Sequence, residues 1–152
     1  MLVKVSYSDS DYGKLSEKIK AWGRELGFQA VAISVPQLAQ AETRLLDWLS
    51  HGYHGEMHYM ASHGVKRSRP AELVPGTVTV ISARLDYLPP DACNSEEVLA
   101  NADKAFISRY ALGRDYHKTL RSRLQKLADK IQESIGPFGY RVFTDSAPTM
   151  EV

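Results

Sequence analysis

The spacing of apolar residues near the N-terminus constrains the fold most. Between residues 11 and 26 they recur at helical intervals and a glycine follows, which predicts an amphipathic helix; the residues that set this period are Leu15, Ile19, Trp22 and Leu26. The next stretch, FQAVAISV at 28–35, is short, apolar and partly β-branched, so it predicts a buried strand. A helix followed at once by a strand indicates an α/β layer.

The rest of the chain continues this alternation of helix and strand. The patterns predict helices over 38–51 and 118–133, a short helix over 56–63, strands over 77–87 and 140–144, and an exposed loop over 88–101. With no internal repeat or linker, we expect one domain over residues 1–152 that buries roughly 70% of its unfolded surface. We therefore predict an α/β fold with a small mixed sheet flanked by helices.

Composition excludes several classes of protein. The formal net charge is +1 and 43% of the residues are hydrophobic, which is typical of a globular protein and favours no particular partner. No run approaches the roughly 18 apolar residues of a membrane span and no signal segment is evident, so a cytoplasmic protein is expected. The single cysteine, Cys93, excludes an internal disulfide and any all-cysteine metal or iron–sulfur site built from this chain alone.

Three histidines in HGYHGEMH suggest a zinc site. His51, His54 and His58 would lie on one side of a continuous helix, as metal ligands often do. Gly52 and Gly55 interrupt that helix, however, and the His-Glu-x-x-His order is absent. We therefore favour a glycine-rich turn with partly exposed histidines over a metal site.

A basic bias is concentrated between residues 104 and 130. This stretch contains eight cations but only two acids, and aromatic residues lie among the cations. The cations are Lys104, Arg109, Arg114, Lys118, Arg121, Arg123, Lys126 and Lys130. Such a stretch suits a phosphate-rich ligand, since cations neutralise phosphates and aromatic rings stack on bases. A solvated helix face explains the charge equally well.

The stretch ISRYALGRDYHK, at 107–118, contains the densest group of polar and aromatic side chains. They surround Gly113 just before a predicted helix begins, where free backbone N–H groups favour an anion or cofactor. Asp145 is a second candidate, because it follows the last predicted strand. An acid in this position is more often a turn-former or helix cap than a catalyst, but in a desolvated cavity it could donate a proton.

Read in order, the motifs resemble a known family. GYHGEMHYM, KRSRPAELVPG, TVISARLDY, SRYALGRDYHKTLRSRL and DSAPTME are similar in sequence and spacing to the N-terminal part of epoxyqueuosine reductase. The resemblance implies a cytosolic, cobalamin-dependent iron–sulfur enzyme that reduces epoxyqueuosine to queuosine in the anticodon loop of tRNA. It implies an N-terminal cobalamin-reductase domain, which we expect to be monomeric and not bound to a membrane.

The resemblance also assigns residues. Asp145 matches the proposed proton donor, while Arg67 of the RxxP pattern and Ser108 match positions associated with cobalamin. Tyr116 and His117 lie in the segment that shapes the same pocket, so with Asp145 they are expected to contact the cofactor. Within that matched segment we expect Tyr110 and Arg114 to contact the substrate.

The family pattern continues where this chain does not. Family members go on to a glycine-rich cobalamin segment and two cysteine runs for two [4Fe–4S] clusters, which this chain cannot bind with one cysteine. We therefore expect an N-terminal part of the reductase that is inactive by itself. The alternative is a non-catalytic tRNA- or RNA-binding module that uses the basic stretch 104–130.

Overall fold

A computed structural model of the chain describes residues 9–145, 147 and 149. The α-helices and strands follow in the order α1 (Asp9–Glu25), β1 (Ala30–Ser34), α2 (Ala39–Ser50), α3 (Pro70–Leu73), β2 (Val80–Arg84), α4 (Ser95–Leu99) and α5 (Tyr116–Ile135). Short 3₁₀ helices occupy His58–Met60, Gly64–Arg67 and Arg109–Ala111. The α/β class is confirmed. Ser146 and Pro148 of the predicted terminal turn lie outside the described residues.

The sheet consists of β1 and β2, which pair antiparallel, with Ala32 opposite Ser82. Within the described residues the two strands of this sheet run in opposite directions, and no strands pair in parallel. Helix α1 packs against β1 at close range, because Gly23 has no side chain to hold Val31 away. The predicted helix–strand layer is confirmed at this contact.

The core forms where α1, α5 and one face of the sheet meet. Ile19 of α1 packs with Leu127 and Ile131 of α5, and all three are buried. Partly buried neighbours surround this cluster: Leu15, Trp22, Leu26, Val31, Ile33, Ile81, Ile135 and Phe138. The same residues set the helical and strand periods in the sequence, which explains why those elements could be predicted.

The chain buries less surface than its length predicts. Its accessible area is 11588 Å², against roughly 7,700 Å² for a compact folded protein of this mass and roughly 25,000 Å² for the unfolded chain. By these figures about half of the unfolded surface is buried, compared with the roughly 70% that a chain of this length could bury. Much of the exposed apolar surface lies between residues 87 and 112, at Tyr87, Leu88, Leu99, Phe106, Ile107, Tyr110 and Leu112.

Two local predictions need correction. The segment 140–144 is not a strand, because it contacts α5 instead of a sheet edge. The exposed loop over 88–101 contains α4, which the side chain of Asn94 caps by accepting a hydrogen bond from the backbone N–H of Glu96. None of the described helices has the length and apolar character needed to cross a membrane.

Candidate functional site

The first turn of α5 positions a compact group of polar side chains. Asp115 is the N-cap, and its Oδ1 accepts hydrogen bonds from the backbone N–H of His117 at 3.0 Å. The same oxygen lies 3.1 Å from Nδ1 of the His117 ring. The hydrogen bond from His117 is the main reason that the pKa of Asp115 lies below its ordinary value.

The C-terminal segment returns along α5 and brings Asp145 to this helix start. Gln132 donates to the carbonyl of Phe138 at 3.5 Å, and Gln125 donates to the hydroxyl of Tyr140 at 2.6 Å. These contacts move toward the N-terminus of α5 as the segment advances. Asp145 accordingly lies beside the first turn of the helix.

Asp145 is in direct contact with two residues of that turn. The hydroxyl of Tyr116 donates to Oδ2 of Asp145 at 2.6 Å, and Nε2 of His117 lies 3.6 Å from the same oxygen. The rings of Tyr116 and His117 are stacked, with centroids 4.0 Å apart. Asp145 has a φ of 55°, and within the described chain it is the one residue other than glycine in this left-handed region.

The electrostatics of this group favour the neutral phenol of Tyr116. The hydrogen bond to Asp145 is the main cause that raises the pKa of Tyr116. Protonating Asp145 by burial, as the sequence-based hypothesis requires, finds no support within the described residues, since its side chain is 58% exposed. In this arrangement Asp145, Tyr116 and His117 can hold a proton in a fixed orientation and exchange it with solvent.

The remaining residues of the 107–118 stretch lie at different distances from this group. The ring of Tyr110 meets that of Tyr116 edge-on, with centroids 6.3 Å apart, and is largely exposed. Arg114 is exposed and has no partner in the part of the chain that the structure describes. Ser108 precedes the 3₁₀ helix and is exposed, and no contact of the described residues joins it to Asp145.

Arg67 fixes a turn. Its Nε donates to the carbonyl of Met60 at 2.9 Å, and its Nη2 donates to that of Tyr59 at 2.8 Å. Two of its N–H groups are therefore occupied within the chain, and the contacts of the described residues do not place it against Asp145. These bonds do not test the prediction that Arg67 lies near the other cofactor residues.

A second polar network holds the KRSRP segment against α2. Glu42 accepts hydrogen bonds from both Nε and Nη2 of Arg69, at 2.9 and 2.7 Å, and from the buried hydroxyl of Ser68 at 2.5 Å. The hydrogen bond from Arg69, followed by that from Ser68, lowers the pKa of Glu42 to about 2. This ion pair sits beside Arg67 in the sequence and so fixes the segment that contains it.

The three histidines of the HGYHGEMH stretch do not converge. Nδ1 of His51 lies 2.9 Å from the carbonyl of Asp47, and its ring stacks on Tyr53. His54 and His58 meet edge-on with centroids 6.1 Å apart. Among residues 9–145, 147 and 149, no three His, Cys, Asp or Glu side chains are grouped as metal ligands would be.

The basic stretch divides into cations with partners and cations without. Arg109 donates to the carbonyl of Cys93 at 2.5 Å, Arg123 to that of Gly27 at 3.5 Å, and Lys130 pairs with Glu25 at 3.2 Å. These three connect parts of the domain. Five other cations are exposed, and their side chains have no hydrogen bond or ion pair in the described chain: Lys104, Arg114, Lys118, Arg121 and Lys126.

Two surface depressions lie elsewhere and contain none of the predicted site residues. One follows α1 along Gly13, Lys14, Glu17, Lys18 and Ala21, and another is lined by Trp22, Lys130, Glu133 and Ser134. Both are shallow and open. We assign the candidate site to the group around Asp145, which has convergent polar atoms that these depressions lack.

Two residues of these networks received no individual role from the sequence. Asp115 belonged to the polar group of the 107–118 stretch, but its role as an N-cap was not predicted, although an Asp directly before a helical period is an N-cap signal. Glu42 carries no such signal, because its partners lie 26 and 27 positions away. Such long-range pairs become visible only in the folded chain.

Comparisons with known proteins agree with one another. Residues 67–146, just over half of the chain, match the model of a family described as epoxyqueuosine reductase QueG, DUF1730. Proteins named epoxyqueuosine reductase are 61% identical in Pseudomonas aeruginosa, 56% in Alicycliphilus denitrificans and 51% in Escherichia coli, over 95%, 91% and 93% of this chain. The chain spans about 40% of the length of these curated relatives. None of the solved structures matches it.

Proposed function

The chain belongs to the epoxyqueuosine reductase family, and on that premise we propose that it forms the N-terminal domain of an enzyme that reduces epoxyqueuosine to queuosine in tRNA. The observation that carries the proposal is the contact of Asp145 with Tyr116 and His117 at the start of α5. A carboxyl group so oriented suits the one proton transfer that epoxide opening requires.

Asp145 is the proton donor in this proposal. When a carbon–oxygen bond of the epoxide breaks, the oxygen retains the bonding electrons and becomes an alkoxide. A protonated carboxyl beside that oxygen transfers its proton and becomes a carboxylate, which removes the charge as it develops. The hydroxyl of Tyr116 donates to Oδ2 and so holds both forms of the carboxyl group in one orientation.

The exposure of Asp145 is compatible with this role only in a larger protein. The relatives are about two and a half times as long as the matched part, and the domain has an unusually large accessible surface for its mass. We propose that further protein, cofactor and tRNA cover the site during the reaction. Excluding water would also favour the neutral carboxyl group.

The residues around the site fit cobalamin, which the family resemblance implies. A large macrocycle needs apolar contact as well as polar donors, and exposed apolar side chains flank Ser108 at Phe106, Ile107, Tyr110 and Leu112. Ser108, Tyr116, His117 and Asp145 would supply polar contacts, and Arg67 would fix the turn at Tyr59 and Met60. Bound cobalamin would supply the reducing power at its cobalt.

Electron delivery requires groups beyond this chain. Cys93 is the single cysteine of its sequence, so the two [4Fe–4S] clusters implied by the resemblance need other ligands. We therefore propose that the 152-residue chain is inactive alone. Turnover of epoxyqueuosine-containing tRNA by the purified chain would overturn that statement.

We propose that the tRNA lies across the exposed cations of α5. Arg114, Lys118 and Arg121 precede or occupy the first turns of the helix, beside Tyr116 and close in sequence to the candidate site. Phosphates bound there would bring the anticodon loop toward Asp145. We also propose a cytoplasmic reaction, which a tRNA substrate would favour. A binding module without catalysis is the second candidate, because these same cations have no partner among the residues that the structure describes.

The decisive variant is Asp145→Asn in the full-length reductase that contains this domain. Asn tolerates positive φ and keeps one oxygen acceptor, so the fold and the contact with Tyr116 should persist. We expect reduction to be abolished while cobalamin and tRNA still bind. Wild-type rates in this variant would remove Asp145 from the mechanism. If the variant instead loses tRNA binding, and cobalamin has no effect on the wild type, the binding module would be favoured.

A further inference from the structure

His117 lies between two carboxyl groups. Its Nδ1 is 3.1 Å from Oδ1 of Asp115, and its Nε2 is 3.6 Å from Oδ2 of Asp145. The two nitrogens of one imidazole thus face two different acids, one on its own helix and one from a segment that arrives later in the chain. Stacking on Tyr116 further fixes the ring.

Asp115 determines what the second nitrogen can do. A hydrogen bond from Nδ1–H to Asp115 directs the remaining lone pair or proton of Nε2 toward Asp145. The imidazolium then presents an Nε2–H to the Asp145 carboxylate, and the neutral ring presents a lone pair to the protonated carboxyl. Either way, His117 and Asp145 share one proton between them.

We infer that His117 is a positioning residue that returns a proton to Asp145 after each turnover, with Asp115 orienting its ring. This inference rests on the proposed function of Asp145. In the step, the proton leaves Nε2 of the imidazolium and binds Oδ2 of the carboxylate. The ring becomes neutral and the carboxylate becomes a carboxyl group, ready to protonate the next alkoxide.

Exposure and distance both suit such a transfer. The side chain of His117 is 45% exposed in this domain, so the neutral ring can recover a proton from solvent once the tRNA has left the site. The gap of 3.6 Å must close by about 0.8 Å to reach hydrogen-bond distance. The titratable groups that face the ring are Asp115, Tyr116 and Asp145. Beyond them, Tyr110 contacts the ring of Tyr116, and the charge of Lys118 helps to lower the pKa of Asp115.

The kinetic test uses His117→Gln in the full-length reductase, with His63→Gln, another exposed histidine, as the control. Without His117, Asp145 must collect its proton directly from water. We expect kcat to fall roughly 10- to 100-fold, with a KM for tRNA within about 2-fold of wild type. The pH profile should also change: the loss should be largest where the wild-type ring is protonated and should shrink as the ring becomes neutral, whereas the control should follow the wild-type profile.

Two further variants separate proton delivery from a structural role. Added imidazole should restore turnover to His117→Ala, because its protonated form can deliver the proton that the missing ring would have supplied. Asp115→Asn keeps a good N-cap but removes the charged partner of Nδ1, so kcat should fall less than in His117→Gln. An unchanged pH profile in His117→Gln, or no rescue by imidazole, would overturn the inference.

A measurement on the 152-residue chain keeps this inference distinct from the proposed function. Long-range proton–nitrogen NMR spectra report which ring nitrogen of His117 carries the proton. We expect a predominantly Nδ1–H neutral ring in the wild type and a shift toward Nε2–H in Asp115→Asn. Identical ring spectra in wild type, Asp115→Asn and Asp145→Asn would overturn the inference even if the reductase is active. An inactive wild-type enzyme with the expected spectra would overturn the proposed function instead.

Discussion

The hydroxyl of Tyr116 donates a 2.6 Å hydrogen bond to Oδ2 of Asp145, which lies 29 positions later in the chain. The bond connects the first turn of α5 with the segment that returns along that helix. It also restrains a residue whose φ of 55° is unfavourable for most side chains. The contact therefore serves the local fold and orients the proposed proton donor at once.

Replacing Asp145 should change the ionisation of Tyr116. Asp145 raises the pKa of Tyr116, mainly through this hydrogen bond. Asp145→Asn removes the negative charge, so the pKa of Tyr116 should fall toward its ordinary value near 10. Because the folded pKa is the higher one, the bond stabilises the wild-type fold fully below the unfolded pKa and loses that effect as pH rises through the folded pKa.

The measurement is the tyrosinate absorbance during an alkaline titration, with the same titration of Tyr116→Phe subtracted to isolate one of eight tyrosines. Asp103→Asn is the control, since its exposed carboxylate has no contact with Tyr116. Equal titration curves for Asp145→Asn and the wild type would show that the bond is not formed in solution.

Sequence patterns predicted those elements whose apolar residues build the core. Ile19, Leu127 and Ile131 set the helical periods of α1 and α5 and are themselves the buried cluster. The strand prediction for the segment 140–144 was wrong for a related reason. Its apolar and aromatic residues do mark a face that packs against another element. That element is the helix α5 and not a strand, and periodicity alone does not identify the packing partner.

The candidate site was predictable only in part. Spacing alone suggested a turn at Asp145, and its positive φ is typical of a turn-forming Asp. The family resemblance singled out the same residue as a proton donor. The resemblance also placed Tyr116 and His117 in the same pocket, but neither source predicted the contact between His117 and Asp115.

Glu42 should make the domain sensitive to acid. Its pKa of about 2 lies below the ordinary 4.5, so the ion pair with Arg69 is fully stabilising above about pH 4.5 and is lost as pH falls toward 2. Glu42→Gln should lower Tm by roughly 2–4 °C at neutral pH. The difference from wild type should shrink through the same acidic range in thermal melts followed by circular dichroism.

Glu17→Gln is the matched control for Glu42→Gln. Glu17 also has a lowered pKa, through Lys20, but its side chain is 72% exposed whereas that of Glu42 is 17% exposed. Exposed pairs contribute little, so Tm should change by less than about 1 °C. Equal losses in the two variants would mean that the Glu42 network stabilises no more than a surface pair.

The exposed and the internally bonded arginines of α5 should differ in tRNA binding. Arg121→Ala should weaken binding and reduce the slope of log affinity against log salt by about one. Arg123→Ala should leave that slope unchanged, since Arg123 is directed to the carbonyl of Gly27, and should lower thermal stability instead. Binding isotherms of the chain with tRNA at several salt concentrations distinguish the two variants. Equal salt slopes for Arg121→Ala and Arg123→Ala would exclude α5 as the interface.

Two glycines of α1 should respond oppositely to the same substitution. Alanine favours a helix over glycine by about 1 kcal/mol, and a side chain at Gly13 would meet no atom within 4 Å, so Gly13→Ala should stabilise the fold by up to that amount. A side chain at Gly23 would overlap Cγ2 of Val31, so Gly23→Ala should destabilise it by about 1–3 kcal/mol.

Urea unfolding of both glycine variants tests this difference, and adding Val31→Ala identifies its cause. Removing the methyl groups of Val31 relieves the overlap, so Gly23→Ala should cost less in the Val31→Ala background than in the wild type. If Gly23→Ala stabilises the chain as much as Gly13→Ala, then α1 does not pack closely on β1. The α/β contact that supports the core would then need a different arrangement.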